Sequence, residues 1–152
     1  MLTRPQSLAR LRSEEAPSEL VHLTRNPDVR KTGLRAGQGD LGDIGVFAVP
    51  PDNLYAAIRT RIDPFSLKKD TLALVLFKPV GRVYSPDHSF QFGDRFKEYV
   101  VGDEGVKKGD VVVPPSHIRK VAHFSGKGIA RLFNRPSIDF DSALQFADRV
   151  EM

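Results

Sequence analysis

The run Thr71-Leu72-Ala73-Leu74-Val75-Leu76-Phe77 constrains the fold more than any other part of this 152-residue chain. A strand whose successive side chains are all apolar has to be covered on both faces, so the run reads as a central strand. It is expected to continue past Pro79 toward Tyr84. Glu19 to Thr24 reads as a first strand, Ile44 to Val49 as a buried strand and Arg95 to Val101 as a further strand. Asp110 to Val113 and His117 to Phe124 read as a strand pair or as one bent strand, broken at Pro114-Pro115. Asn26-Pro27-Asp28 opens a short helix that Gly33 closes, and Leu54, Tyr55, Ile58 and Ile62 share a helical spacing. Ala36 to Gly42, Ser85 to Gly93 and the basic stretch Ser125 to Ser137 read as loops, and Asp139 to Val150 as a terminal helix. Six or seven strands that do not alternate regularly with three helices predict an α+β domain rather than a doubly wound sheet.

Residues 1–18 are polar. Ser7 to Glu15 has the spacing of a short amphipathic helix through Leu8 and Leu11, and reads equally as a flexible leader. The expectation is therefore a leader over 1–18 and a single domain over 19–152. A hydrophobic content of 40% with 28% charged residues is an ordinary globular balance. A net charge of +4 permits an anionic partner without requiring one. The chain has no Cys, which excludes disulfides, Cys-zinc sites and thiol nucleophiles. No apolar run approaches the ~18 residues of a membrane span, and the N-terminus lacks the apolar core of a secretory signal. No membrane partner is expected. The expected location is cytoplasmic, or reached without a standard signal peptide.

Several motifs carry possible chemistry. Glu98 stands in Lys97-Glu98-Tyr99-Val100-Val101-Gly102-Asp103, a β-type run, although Glu is depleted in strands and needs a reason to be there. His22-Leu23-Thr24 ends the first strand, where an imidazole and a hydroxyl could meet a ribose. Arg35 follows the helix stop at Gly33-Leu34, and its planar fork suits a diphosphate. Gly45-Val46-Phe47-Ala48 and the later Tyr55 offer two aromatic rings able to sandwich a flat ring. Taken singly, each of these also reads as ordinary packing or a helix exit. Other patterns fail on inspection. Ser125-Gly126-Lys127-Gly128 lacks P-loop order. His117 and His123 have no partner at ligand spacing, so no metal is expected. Ser85, His88 and Ser89 lack a Gly-x-Ser-x-Gly elbow.

Taken in order, His22-x-Thr24, Gly33-Leu34-Arg35, Gly45-Val46-Phe47-Ala48, Tyr55-Ala56-Ala57 and Lys97-Glu98-Tyr99-Val100-Val101-x-Asp103 resemble the catalytic domain shared by diphtheria toxin and the poly(ADP-ribose) polymerases. The resemblance spans roughly Leu20 to Phe124. It implies a split β-sheet core, NAD as substrate and no metal. Residue by residue it implies that His22 holds the adenine-side or nicotinamide-side ribose and that Thr24 contacts a ribose. Leu23 offers its backbone to the nicotinamide amide. Arg35 approaches the diphosphate or adenosine, and Gly45, Phe47 and Tyr55 build the nicotinamide pocket. Glu98 is the catalytic carboxylate, with His22 as its companion. Leu23 departs from the family's usual Gly, so its side chain has to point away from the pocket, and Phe47 replaces the usual Tyr. Phe96 stands where arginine-modifying members have Glu or Gln, which argues against arginine as target.

The implied activity is a single ADP-ribosyl transfer to a macromolecule, a protein acceptor first, by a bacterial toxin or effector. Two alternatives follow. One is a nucleic-acid-directed enzyme, including an NAD-dependent RNA 2′-phosphotransferase, supported by Arg119, Lys120, Lys127, Arg131 and Arg135. The other is a non-catalytic module that binds NAD or ADP-ribose.

Overall fold

The computed structural model describes residues 8–10, 16–39, 44–63, 71–86 and 98–152. Its strands are β1 (Leu8–Arg10), β2 (Leu20–Thr24), β3 (Leu34–Arg35), β4 (Gly37–Gln38), β5 (Ile44–Ala48), β6 (Leu72–Phe77), β7 (Val83–Pro86), β8 (Tyr99–Val101), β9 (Val111–Val113), β10 (Ile118–Phe124) and β11 (Arg149–Glu151). Its helices are α1 (Val29–Thr32), α2 (Tyr55–Arg61), α3 (Gly126–Asn134) and α4 (Phe140–Ala143). The architecture is mixed, with antiparallel sheets and few helices. One sheet runs β11-β10-β6-β2, a second runs β1-β7-β8-β5-β4, and β3 pairs with β9 alone.

The apolar run lies where two-sided burial demands. All six residues of β6 are buried between β10 and β2. Leu72, Leu74 and Leu76 enter a core shared with Leu54 and Ile58 of the α2 region and with Ile129 and Leu132 of α3. Ala73, Val75 and Phe77 enter a second core with Val46, Ala48, Val83 and Val101 of the other sheet. The four-stranded sheet is thus the middle layer, with helices on one face and the second sheet on the other. The two sheets also meet edge to edge through one bridge. Val21 N–H donates to the Val49 carbonyl at 2.8 Å, and Val49 N–H donates back at 2.9 Å.

Several expectations from the sequence need correction. The chain does not extend β6 to Tyr84. A turn at Gly81, with φ of 76°, carries Val83–Pro86 into the other sheet. The segments around Pro114-Pro115 are two strands with different partners. β9 joins β3, and β10 joins β6 and β11, with a 3-10 turn at Pro115–His117 between them. Ser125 to Ser137 is not a loop, since Gly126–Asn134 is helical and buries Gly128, Ile129 and Leu132. The terminal helix stops early. Asp139 caps α4 by accepting from the Ser142 N–H at 2.7 Å, a 3-10 turn covers Leu144–Phe146, and Arg149–Glu151 completes the sheet beside β10.

Within the stretch read as a leader, Leu8–Arg10 pairs with β7. Within the Ala36 to Gly42 loop, Gly37–Gln38 pairs with β5. Residues 87–93 of the Ser85 loop and 95–97 of the Glu98 strand lie outside the described residues. No helix among the described residues is long and apolar enough to cross a membrane.

Candidate functional site

Glu98 is the one buried polar or charged side chain among the described residues. Taking a carboxylate out of water is costly unless a cation and hydrogen bonds meet it. The cation is Arg61 at the end of α2, whose Nη2 donates to Glu98 Oε2 at 3.1 Å. The same guanidinium lies over the Phe47 ring, with Cζ 5.2 Å from the centroid, within cation–π range.

Strand register explains why these groups converge. Phe47 faces Val100 across β5 and β8, and successive strand residues point to opposite faces. Glu98 and Val100 therefore share a side, and Phe47 packs there with Tyr84 and Val100. Gly39 leaves room for the ring, since a Cβ at that position would lie 2.6 Å from Phe47 Cζ.

His22 enters from the other sheet. Beyond the Val21–Val49 bridge its Nδ1 lies 2.6 Å from the Phe47 carbonyl oxygen. A carbonyl only accepts, so Nδ1 carries the proton. Burial pushes the His22 pKa from 6.5 down to about 4, the bond to Phe47 opposes this and the nearby Arg61 charge adds to it. The ring is neutral at pH 7, which leaves Nε2 as an acceptor.

This state has a measurable consequence. The unfolded chain takes up the His22 proton near pH 6.5, whereas the folded chain holds out to about 4. Stability is full above 6.5 and is lost as pH falls toward 4, because the unfolded state then binds more protons. Between pH 7 and pH 5 wild type should lose about 2 kcal/mol more than His22→Gln. Urea unfolding of both proteins at the two pH values checks this, and equal losses would contradict a neutral His22.

The remaining residues singled out from the sequence are placed as follows. Leu23 points into the helix-side core. The Thr24 hydroxyl accepts from the Asn26 N–H at 3.1 Å. Gly45 is buried and faces Gly37. Tyr55 packs against the helix-side core. Arg35 is exposed on β3 and donates to the Gly109 carbonyl at 3.1 Å, so the described contacts do not join it to the cluster. Arg61, which sequence reasoning missed, links Glu98 to the Phe47 ring, and His22 joins them only through the Phe47 carbonyl. The signal for Arg61 was indirect: a carboxylate in a strand that proves buried needs a counter-ion.

No group of three or more His, Cys, Asp or Glu among the described residues could hold a metal. The chain matches no protein-family model, no curated protein and no solved structure at the significance expected of a relative.

Proposed function

We propose that this chain is an NAD-dependent ADP-ribosyltransferase whose split sheet holds NAD at His22, Phe47 and Glu98. The observation that carries the reading is the buried carboxylate of Glu98, linked through Arg61 to the Phe47 ring, with a neutral His22 held on the Phe47 carbonyl. Nicotinamide in NAD is already a cationic leaving group and needs no general acid. The C1′–N bond breaks, nicotinamide departs neutral with the electron pair, and a bond forms between C1′ and the acceptor nucleophile. The acceptor's proton goes to solvent. A carboxylate such as Glu98 stabilises the positive charge that develops on the ribose. His22 Nε2 suits a ribose hydroxyl donor, and Phe47 suits a stacked nicotinamide.

Calorimetric titration with NAD tests the site. Wild type should bind, and Phe47→Ala should bind about tenfold more weakly. No binding by wild type would sink the reading, and binding without any nicotinamide release would leave a binding module instead.

A protein acceptor is the first reading and an NAD-using mono-transfer toxin or effector the corresponding role. One observation favours a nucleic-acid acceptor as a second reading. The segment expected as a basic loop is helix α3, with Lys127 and Arg131 exposed one turn apart and Arg135 exposed just beyond. Arg131 and Arg135 lie over the Phe146 ring at 5.6 and 5.8 Å, and Arg59 lies over Phe133 at 4.6 Å. Such a face suits phosphates and bases, and binding through it would weaken steeply with salt.

A further inference from the structure

A flat cation already spans the Phe47 ring and the Glu98 carboxylate, and that cation belongs to the chain. Arg61 places a planar, delocalised monocation over the Phe47 ring and against the Glu98 carboxylate. The nicotinamide end of NAD is also a planar, delocalised monocation. It would need the same ring face and the same negative charge. Two cations sharing one partly buried carboxylate repel each other. A guanidinium left in place would also offset the charge that Glu98 offers the ribose.

We propose that Arg61 is the resident occupant of the nicotinamide pocket, an internal competitor that swings out when NAD binds. This rests on the NAD reading of the site. Burial identifies the partner that moves. The Arg61 side chain is 35% exposed, whereas that of Glu98 is 8% exposed, so Arg61 can return to water and Glu98 cannot. The backbone has no need to follow. Ile58 and Ile62 on either side are buried, and the Arg61 carbonyl accepts from Arg25 Nη2 at 3.5 Å. The free protein therefore exchanges affinity for stability. The closed pair satisfies a buried carboxylate and reduces the fraction of molecules competent to bind, which raises the apparent Kd by the same factor.

The test uses Arg61→Ala and Arg61→Lys in the full chain, with NAD and methylguanidinium as probes. Arg61→Ala should bind NAD about tenfold more tightly than wild type and melt several degrees lower without ligand. Arg61→Lys keeps the charge but loses the planar fork, so its NAD affinity should fall between the two. If the alanine variant does not fold, the lysine variant carries the comparison. Millimolar methylguanidinium should raise the melting temperature of Arg61→Ala, leave that of wild type unchanged and compete with NAD in the variant.

Weaker NAD binding by Arg61→Ala would overturn the proposal and make Arg61 a positioning residue for NAD. Equal NAD affinity in wild type and both variants, without methylguanidinium stabilisation, would overturn it while leaving the NAD reading intact. Methylguanidinium stabilisation of the variant with no NAD binding by any protein would uphold the cation pocket and sink the NAD reading instead.

Discussion

Glu98→Gln is expected to lower nicotinamide release from NAD by about a hundredfold or more. The substitution keeps the size and shape of the side chain and removes its negative charge. Glutamine can still bond a ribose hydroxyl and still accept from Arg61, so ground-state contacts survive. What disappears is the charge that matters as positive charge builds on the ribose. The loss should therefore fall on kcat, with KM changed much less. Burial makes the expected effect large, because Glu98 has little water around it to screen its charge. The fold should persist, since Arg61 is partly exposed and can be solvated when its partner is neutral. Release rates and NAD titrations on folded variant and wild type check this. A variant that turns over normally would remove Glu98 from the chemistry.

Phe77→Ala is expected to cost about 3–5 kcal/mol in unfolding free energy. Phe77 is the last residue of the central strand and is fully buried. It faces Leu20 across β2 and Ile118 across β10, in the core between the two sheets. Truncation loses the transfer energy of the ring and leaves a cavity that three strands cannot easily close. Val111→Ala, on the exposed side of β9, should change stability by less than about 0.5 kcal/mol. Urea midpoints for the three proteins test the contrast. Similar costs at both positions would mean that the core between the two sheets is misassigned.

The central strand was legible because two-sided burial leaves an unbroken apolar run. Glu98 stood out because a carboxylate does not suit a plain strand interior, whereas His22 and Phe47 drew notice mainly through the order of the motifs along the chain. Arg61 was not legible. A basic residue in the last turn of a helix is ordinary, and its partner lies 37 residues away in sequence, so only the folded chain shows the pair.

Helix α3 was missed because Gly126-Lys127-Gly128 reads as a loop, while Ile129 and Leu132 find their cover only in tertiary packing. β11 was missed because a three-residue edge strand with exposed Arg149 and Val150 carries little pattern of its own. Its position follows from β10, where the His123 carbonyl accepts from the Asp148 N–H at 2.8 Å and His123 Nε2 lies 3.0 Å from Glu151 Oε2.

Under the proposed function, the chain would break the bond between nicotinamide and ribose in NAD. The most direct measurement incubates the purified protein with NAD labelled in the nicotinamide ring, with and without cell lysate as a source of acceptor. Free labelled nicotinamide accumulating in molar excess over protein is the expected result, and label carried instead in the adenylate should then appear on an acceptor. No nicotinamide in either condition, at NAD concentrations that saturate binding, would rule out NAD cleavage by this chain.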